Sequence, residues 1–422
     1  MLTHIQSCRV CGNDTFQPVV DLGYQHFQGC FKKDGHAAPP ARKTPNRLVR
    51  CDTEHNDGCG LVQTAHSIDT DLLYLNYWYQ SGISDTMKKH LRDITIEARS
   101  MIPATSGITK VLDIASNDNT LLRCYEGDRF TRIGIDPSDI AAKQTDKDIH
   151  VINDTFPSAQ LDEMWNVSNT ASIITSIACF YDVDDPVKFA MNVGKHLKKD
   201  GIWIFEVAYL KSMIDNLSYD SIVNEHVIHY HLYPILRLLD MAGLKLVRAR
   251  KTGTNGGSVM CYVTHQGCSH YDNKEWRAEI TDLKVDEFNA SLDTNDIYDD
   301  FANRIDQHTS QLKDLIKDIN LRGKTIHVYG SSTKLNTLLE CCGLTGSDIP
   351  YAAERSEEKF GAETMSGIKI ISEEESRAMK PDYYLVGPYH FKKEILEREA
   401  EAIYQGMKFI FPLPILETLP NL

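Results

Sequence analysis

The feature that most limits what this chain can fold into is the run from Lys110 to His265, where short apolar segments alternate with stretches of helical pattern. VLDIA, TRIGID, IHVIN, ASIITSI and GIWIFEV each have the length and composition of a buried strand. Strands that alternate with helices build βαβ units, and these predict a parallel sheet. KLVRARK and VMCYVTH are separated only by TGTNGGS, so they predict an antiparallel hairpin closing that sheet. The first strand ends on Asp113 and passes through Ala115-Ser116-Asn117-Asp118-Asn119 into Leu121-Leu122, the outline of a nucleotide-binding strand-to-helix crossover. No glycine stands in the turn, so small Ala115 and the left-handed-tolerant Asn117 and Asn119 have to let a ligand approach the backbone. Asp136 closes the second strand 23 residues after Asp113, a spacing suited to gripping ribose hydroxyls.

A chain of 422 residues exceeds one hydrophobic core, and two or three domains are expected. Its formal charge of −14 carries no footprint for nucleic acid or anionic membrane, which favours a small-molecule partner. No apolar run approaches the roughly 18 residues of a membrane span, and MLTHIQSCRV lacks a signal-peptide core, so a cytoplasmic protein is expected. The cysteines then read as a metal site plus core thiols rather than disulfides. Cys8 and Cys11 form a CxxC knuckle, and Cys51 with Cys59 supplies a second pair. Four thiolates complete a closed, structural zinc site. The seven residues within the second pair leave His55 as an alternative ligand, and Cys30 stands as an incidental thiol.

YLNYWYQSGISDTMKKHL, from Tyr74 to Leu91, is dense in aromatics before it turns helical; Tyr77, Trp78 and Tyr79 are as well suited to packing domains together as to holding a ligand. Apolar positions at 297, 301, 305, 308, 312, 315 and 319 draw a helical stripe leading to a last domain. There TIHVYGSSTKLNTLL repeats the strand-turn-helix pattern, followed by IPYAAER, DYYLVGPYH and KFIFPLP. Gly330-Ser-Ser-Thr-Lys334 offers donors and a cation at a helix start, where phosphate binds, without the spacing of a P-loop. The domains expected are residues 1–70, binding zinc; 71–270, the large α/β domain; 271–320, linking helices; and 321–422, a smaller α/β domain.

Chemistry concentrates between the fifth strand and the hairpin. Asn224, Glu225, His226, His229, Tyr230 and His231 crowd the opening of what reads as one apolar helix, Tyr219 to Leu239. A histidine beside a carboxylate, delivered to the strand ends, is suited to removing a proton near neutral pH; histidines serving as helix caps are the plainer alternative.

Ten strings in chain order carry a more specific likeness: CRVCGN with the later cysteine pair, YWYQSGIS, VLDIASNDNTLL, SIACFYDVDDP, GIWIFEVAYL, NEHVIHYHL, NGGSVMCYV, YGSSTKLNTLL, PDYYLVGPYHF and FPLP. In these the chain resembles the three-domain sugar C-methyltransferases, which use S-adenosylmethionine to methylate C3 of nucleotide-linked 4-keto-6-deoxyhexoses in deoxysugar biosynthesis. The resemblance implies a Rossmann-like methyltransferase domain, an N-terminal zinc domain and a C-terminal Rossmann-like α/β domain that helps bind the nucleotide-sugar. It implies that His226 is the base, with Glu225 its orienting or alternative partner, and that Tyr230 or His229 stabilises an enolate oxygen. Cofactor contacts would come from Asp113, Ala115, Ser116, Asn117, Asp136, Asp154, Thr155 and Ser176. The substrate side would comprise Tyr79, Ser81, Tyr181, Asn224, Asn255, Lys334 and Asn336. The zinc ligands would be Cys8, Cys11, Cys51 and Cys59. A monomer or weak dimer is expected.

The sequence departs from the pattern at Ala115 and Asn119, where the family commonly has glycines, and at Asp182, Asn224 and His229, where it often has His, His and Tyr. The last three fall on the substrate side and bear on which sugar is used. Competing expectations are O- or N-methylation of a sugar or small metabolite, a non-catalytic zinc-ribbon binding module, and, weakest for lack of a glycine fingerprint, a dehydrogenase.

Overall fold

The computed structural model describes residues 2–36, 42–55, 57–68, 79–103, 107–165 and 171–420; Tyr77 and Trp78 lie outside the described residues. The alternating run forms a seven-stranded sheet. Its strands are β1 (Thr109–Ile114), β2 (Phe130–Ile135), β3 (Ile149–Ile152), β4 (Ala171–Ile177), β5 (Leu197–Ala208), β6 (Leu244–Thr252) and β7 (Ser258–His265). Across the sheet the order is β6-β7-β5-β4-β1-β2-β3. β7 alone runs against its neighbours, β5 and β6, and so forms the expected hairpin.

Both faces of the sheet are covered, which is why its strands read as continuous apolar runs. Val111, Ile173, Ile202 and Ile204 pack beneath the helix Asp85–Met101 through Leu91, Ile94 and Ala98. Leu112, Ile174, Trp203 and Phe205 point the other way, into a core with Phe180, Phe189 and the helix Leu232–Met241. Strand order reverses between β4 and β1, so their carboxyl ends open the crevice in which sheets of this kind bind ligands.

The N-terminal domain is antiparallel, with strands Phe16–Gln25, Thr44–Cys51 and Val62–Thr64. Its fourth strand is Ile228–His229, borrowed from the central domain and paired with Val62 and Gln63. This corrects the expectation of one helix from Tyr219 to Leu239: the helix begins only at Leu232. Before it, Tyr219–Ser221 form one 3-10 turn and Val227–His229 spend their backbone groups on Val62–Thr64 rather than on an α-helical turn.

In the C-terminal domain the helix Asp296–Leu321 buries Tyr298, Phe301, Ile305, His308, Leu312, Ile316 and Ile319, the stripe seen in the sequence shifted by one residue at two places. An eight-stranded sheet follows, with Ile326–Tyr329 at its centre. Phe31–Lys32 of the N-terminal domain pairs with Glu363–Thr364 and completes one edge. The helix Lys274–Asn289 packs back on the central domain, Leu283 lying in its core. Each outer domain is therefore stitched to a neighbour by main-chain pairing. Among the described residues, no helix is long and apolar enough to cross a membrane.

Candidate active site and zinc centre

The two cysteine pairs meet in the N-terminal domain. Sγ of Cys8 lies 3.6 Å from that of Cys59, and Sγ of Cys11 lies 3.4 Å from that of Cys51, all four within 4.8 Å of one another. Four thiolates held at about 2.3 Å from one zinc ion would be about 3.8 Å apart, so the donor set fits the ion and leaves no open position. Gly12 and Gly60, one residue after each pair, have left-handed φ of 76° and 70° and turn the chain behind the sulfurs. His55 is outside this set; its Nδ1 meets the Asp52 carboxylate at 3.1 Å.

At the end of β1 the glycine-free turn adopts the conformation expected of it. Ala115, Asn117 and Asn119 have φ of 62°, 50° and 61°. The Asn117 N–H donates to Asp136 Oδ2 at 2.9 Å and the Ser138 N–H to Asp136 Oδ1 at 2.8 Å, fixing the carboxylate that closes β2. Asp113 is buried and accepts from Thr175 Oγ1 at 2.5 Å. Burial, offset by that hydrogen bond and reinforced by Asp136, lifts its carboxyl to about 7. A buried carboxylate with so little internal compensation fits a cationic ligand, and a ribose fits Asp136. The Ser116 hydroxyl and Asn119 Oδ1 are buried against Gly134 of β2, where an added Cβ would collide with the hydroxyl.

The segment after the aromatic stretch covers this turn. The Ser81 N–H donates to Asn117 Oδ1 at 3.0 Å and the Gly82 N–H to Asp118 Oδ2 at 2.7 Å, while Asn117 Nδ2 returns a bond to the Tyr79 carbonyl at 3.0 Å. Three expected cofactor residues lie differently. Ser176 points into the core, its hydroxyl accepting from Trp203 Nε1 at 3.1 Å; its neighbour Thr175 reaches Asp113 instead, because successive strand residues face opposite sides. Asp154 accepts from the Thr155 N–H and the Ser158 hydroxyl, ordinary loop and helix-start work, and Thr155 is exposed.

Across the crevice stands the histidine-rich segment. His226 Nδ1 donates to the Ser221 carbonyl at 2.9 Å, which leaves Nε2 with its lone pair. Burial, with a contribution from the Lys334 charge, lowers its pKa to about 4, so the ring is neutral at physiological pH. The Tyr181 ring stands edge-on to it, centroids 4.3 Å apart. Glu225 points elsewhere, and burial alone lifts its carboxyl to about 7; the group that orients His226 is thus a carbonyl, not the neighbouring carboxylate. His229 Nε2 and the Tyr230 hydroxyl are both buried without hydrogen-bond partners. Tyr230 stacks on Phe180 with ring centroids 5.4 Å apart, near Arg9 and Cys8 of the zinc domain as well as Asp182 and Cys179, whereas His229 lies near His226. Asn224 is committed internally, its amide joined to Gln28 Oε1, Thr44 Oγ1 and His66 Nε2 at 3.1–3.2 Å.

The C-terminal domain brings Lys334, whose Nζ donates to the Asn255 carbonyl at 2.7 Å. Asn255 has φ of 55° in the turn between β6 and β7. Burial lowers the Lys334 pKa and buried Asp220 opposes that shift; Asp220 in turn accepts from the Tyr389 hydroxyl at 3.1 Å. His390 is pushed down to about 3 by burial and by the Lys334 charge. Asn336 Nδ2 donates to the Gln28 carbonyl at 2.6 Å. Sequence reasoning missed Thr175, which strand alternation would have found, Ser221, which lies five residues before the histidine it holds, Asp220 and Tyr389, which meet across two domains, and His390, which lies near Lys334.

A sheet of this strand order, with acidic residues closing β1 and β2 over a crevice, makes the central domain an S-adenosylmethionine-dependent methyltransferase, here joined to a four-cysteine zinc domain. Three family models match in succession: a zinc binding domain over residues 8–74, a methyltransferase domain over 79–249, and a C-methyltransferase C-terminal domain over 253–414. The C-methyltransferase NovU of Streptomyces niveus is 27% identical over 412 residues, covering 97% of this chain and 96% of that protein. Among solved structures, a methyltransferase from Clostridium acetobutylicum is 14% identical, with 43% of this chain and 92% of that one covered and a TM-score of 0.33. The mitomycin 7-O-methyltransferase MmcR is 13% identical, with 43% and 55% covered and a TM-score of 0.33. The chain belongs to the three-domain C-methyltransferase family, as its ordered motifs implied.

Proposed function

We propose that this enzyme methylates C3 of a nucleotide-linked 4-keto-6-deoxy sugar through an enolate, in branched deoxysugar biosynthesis, with His226 as base and Glu225 assisting. The observation that carries this reading is the state of His226: Nδ1 is pinned to the Ser221 carbonyl, and Nε2 keeps a lone pair beside Tyr181. A ring so held can accept a proton without turning, and geometry is the first requirement of a general base. The proton leaves the carbon alpha to the ketone for Nε2, and the C–H electron pair moves onto the ketone oxygen. His229 Nε2, buried without a partner, is the donor assigned to that oxygen, in preference to Tyr230 on the zinc side.

S-adenosylmethionine, when bound, supplies an electrophilic methyl on a positively charged sulfur. Asp113 is assigned to its methionine end and Asp136 to its ribose, with Tyr79 and Ser81 closing over both. Lys334, half-buried beside Asn255 and Asp220, is the cation assigned to the diphosphate of the donor sugar, at the start of the helix Thr333–Cys342. Glu225, lifted to about 7, is assigned to a sugar hydroxyl. Holding sugar carbon and methyl in line is the remaining task of the protein.

The test uses labelled S-adenosylmethionine with dTDP-, GDP- and CDP-4-keto sugars, and NMR of the product to tell methyl on carbon from methyl on oxygen or nitrogen. His226→Ala, folded and still binding S-adenosylmethionine, is expected to lose C3 proton exchange in deuterated water and to slow methyl transfer by roughly 10²–10⁴. Normal exchange in that variant would move the base to Glu225.

A further inference from the structure

The loop Gln25–Cys30 of the zinc domain reaches the catalytic segment. Gln28 holds both sides at once: its Oε1 accepts from the backbone N–H and the side-chain amide of Asn224 at 3.1 Å each, and its carbonyl accepts from Asn336 of the C-terminal domain at 2.6 Å. Gly29 follows, and a Cβ placed on it would collide with the Glu225 carboxylate. Nothing in the backbone requires glycine here, because Gly29 is absent from the residues with positive φ. The atom in the way is the end of a flexible side chain, so an added methyl would displace the carboxylate rather than break the fold. Cys30, expected to be incidental, feels the same group: burial and the Glu225 charge push its thiol up to about 11.

We infer that Gly29 is a positioning residue for Glu225: by carrying no side chain, it lets the zinc domain set its backbone against the carboxylate and fix where that carboxylate points in the cleft. The inference rests on the assignment of Glu225 to the active site. It makes the N-terminal domain a wall of that site as well as a zinc-bound support.

Size complementation tests it. Gly29→Ala in the full zinc-loaded chain is expected to lower kcat on the order of 10- to 100-fold, the scale of a misplaced catalytic group, with KM for S-adenosylmethionine unchanged. Glu225→Asp in the Gly29→Ala background shortens the acid by one methylene, and the double variant is expected to exceed Gly29→Ala in kcat. A second readout needs no acceptor: the pH midpoint of Cys30 alkylation by iodoacetamide, followed by peptide mass spectrometry. Glu225→Gln is expected to lower this midpoint, Gly29→Ala to shift it, and the double variant to move it back towards the wild-type value. Wild-type midpoint and kcat in Gly29→Ala, or a double variant no better than the single one, would overturn the inference. If Gly29→Ala fails to fold, a folded double variant supports the contact, and an unfolded one overturns it. Because alkylation proceeds without a sugar, failure of the whole sugar panel would count against the proposed substrate and leave this contact separately decided.

Discussion

The turn after β1 and the segment from Tyr219 to His231 are both short, polar and placed at strand ends, yet they are held in opposite ways. The turn is built almost wholly within the central domain: its three left-handed residues follow β1 directly, Asp113 and Thr175 lie on the adjacent strands β1 and β4, and Asp136 comes directly after β2. The histidine segment has a single 3-10 turn, Tyr219–Ser221, and short local bonds such as that of His226 to Ser221, and is otherwise placed from outside. Its strand pairs with Val62 and Gln63, Asn224 is held by Gln28, Thr44 and His66, and His226 feels the charge of Lys334. Cofactor binding and base chemistry should therefore respond differently to damage in the outer domains.

The largest separation is expected on breaking the zinc centre. Cys59→Ser removes a ligand from a site that contributes folding energy, and the strand Val62–Thr64 that follows it carries Ile228–His229. Methyl transfer is expected to fall on the order of 100-fold or more, the scale of losing a positioned base, while calorimetry finds S-adenosylmethionine affinity within about twofold. A parallel loss of cofactor affinity would break the comparison.

A smaller effect sharpens it from the cofactor side. Asp113, raised from 3.8 to about 7 mainly by burial, is protonated in the folded protein below that pH. A cationic ligand needs it charged, so S-adenosylmethionine affinity is expected to fall by about tenfold per unit as pH drops below 7 and to be flat above, a dependence that Asp113→Asn removes. The sign for the ligand-free protein is the reverse. A carboxyl raised on folding favours the folded state most below pH 3.8, and that contribution is lost as pH rises towards 7. Thermal melts with and without cofactor across that window should diverge.

The smallest effect concerns Asn224. Asn224→Leu removes the side-chain bonds to Gln28 Oε1, Thr44 Oγ1 and His66 Nε2, leaving only the backbone N–H of residue 224 on Gln28, and the urea midpoint is expected to fall by the equivalent of about 1–3 kcal/mol. kcat should decline with it while cofactor affinity holds. Lost affinity would show that the two regions are not independent.

Much of this was legible in the chain. Residue patterns decided the seven strands, the hairpin, the glycine-free turn with its left-handed asparagines, the cysteine quartet and the long helical stripe, because each follows from local periodicity or from the φ preference of single residues. Ordered motifs added the family and the pairing of His226 with Glu225 in one segment. Tertiary structure alone decided that this segment is a borrowed strand rather than a helix, that a carbonyl orients His226, that Ser176 turns inward while Thr175 meets Asp113, and that Gly29 and Cys30 face Glu225. The bond from His226 to Ser221 spans only five residues, but it needs the segment not to be a helix; the other outcomes rest on hydrogen bonds and contacts between residues tens to hundreds of positions apart, for which no local period or propensity leaves a trace. Backbone preference acts within a few residues; the site is assembled across three domains.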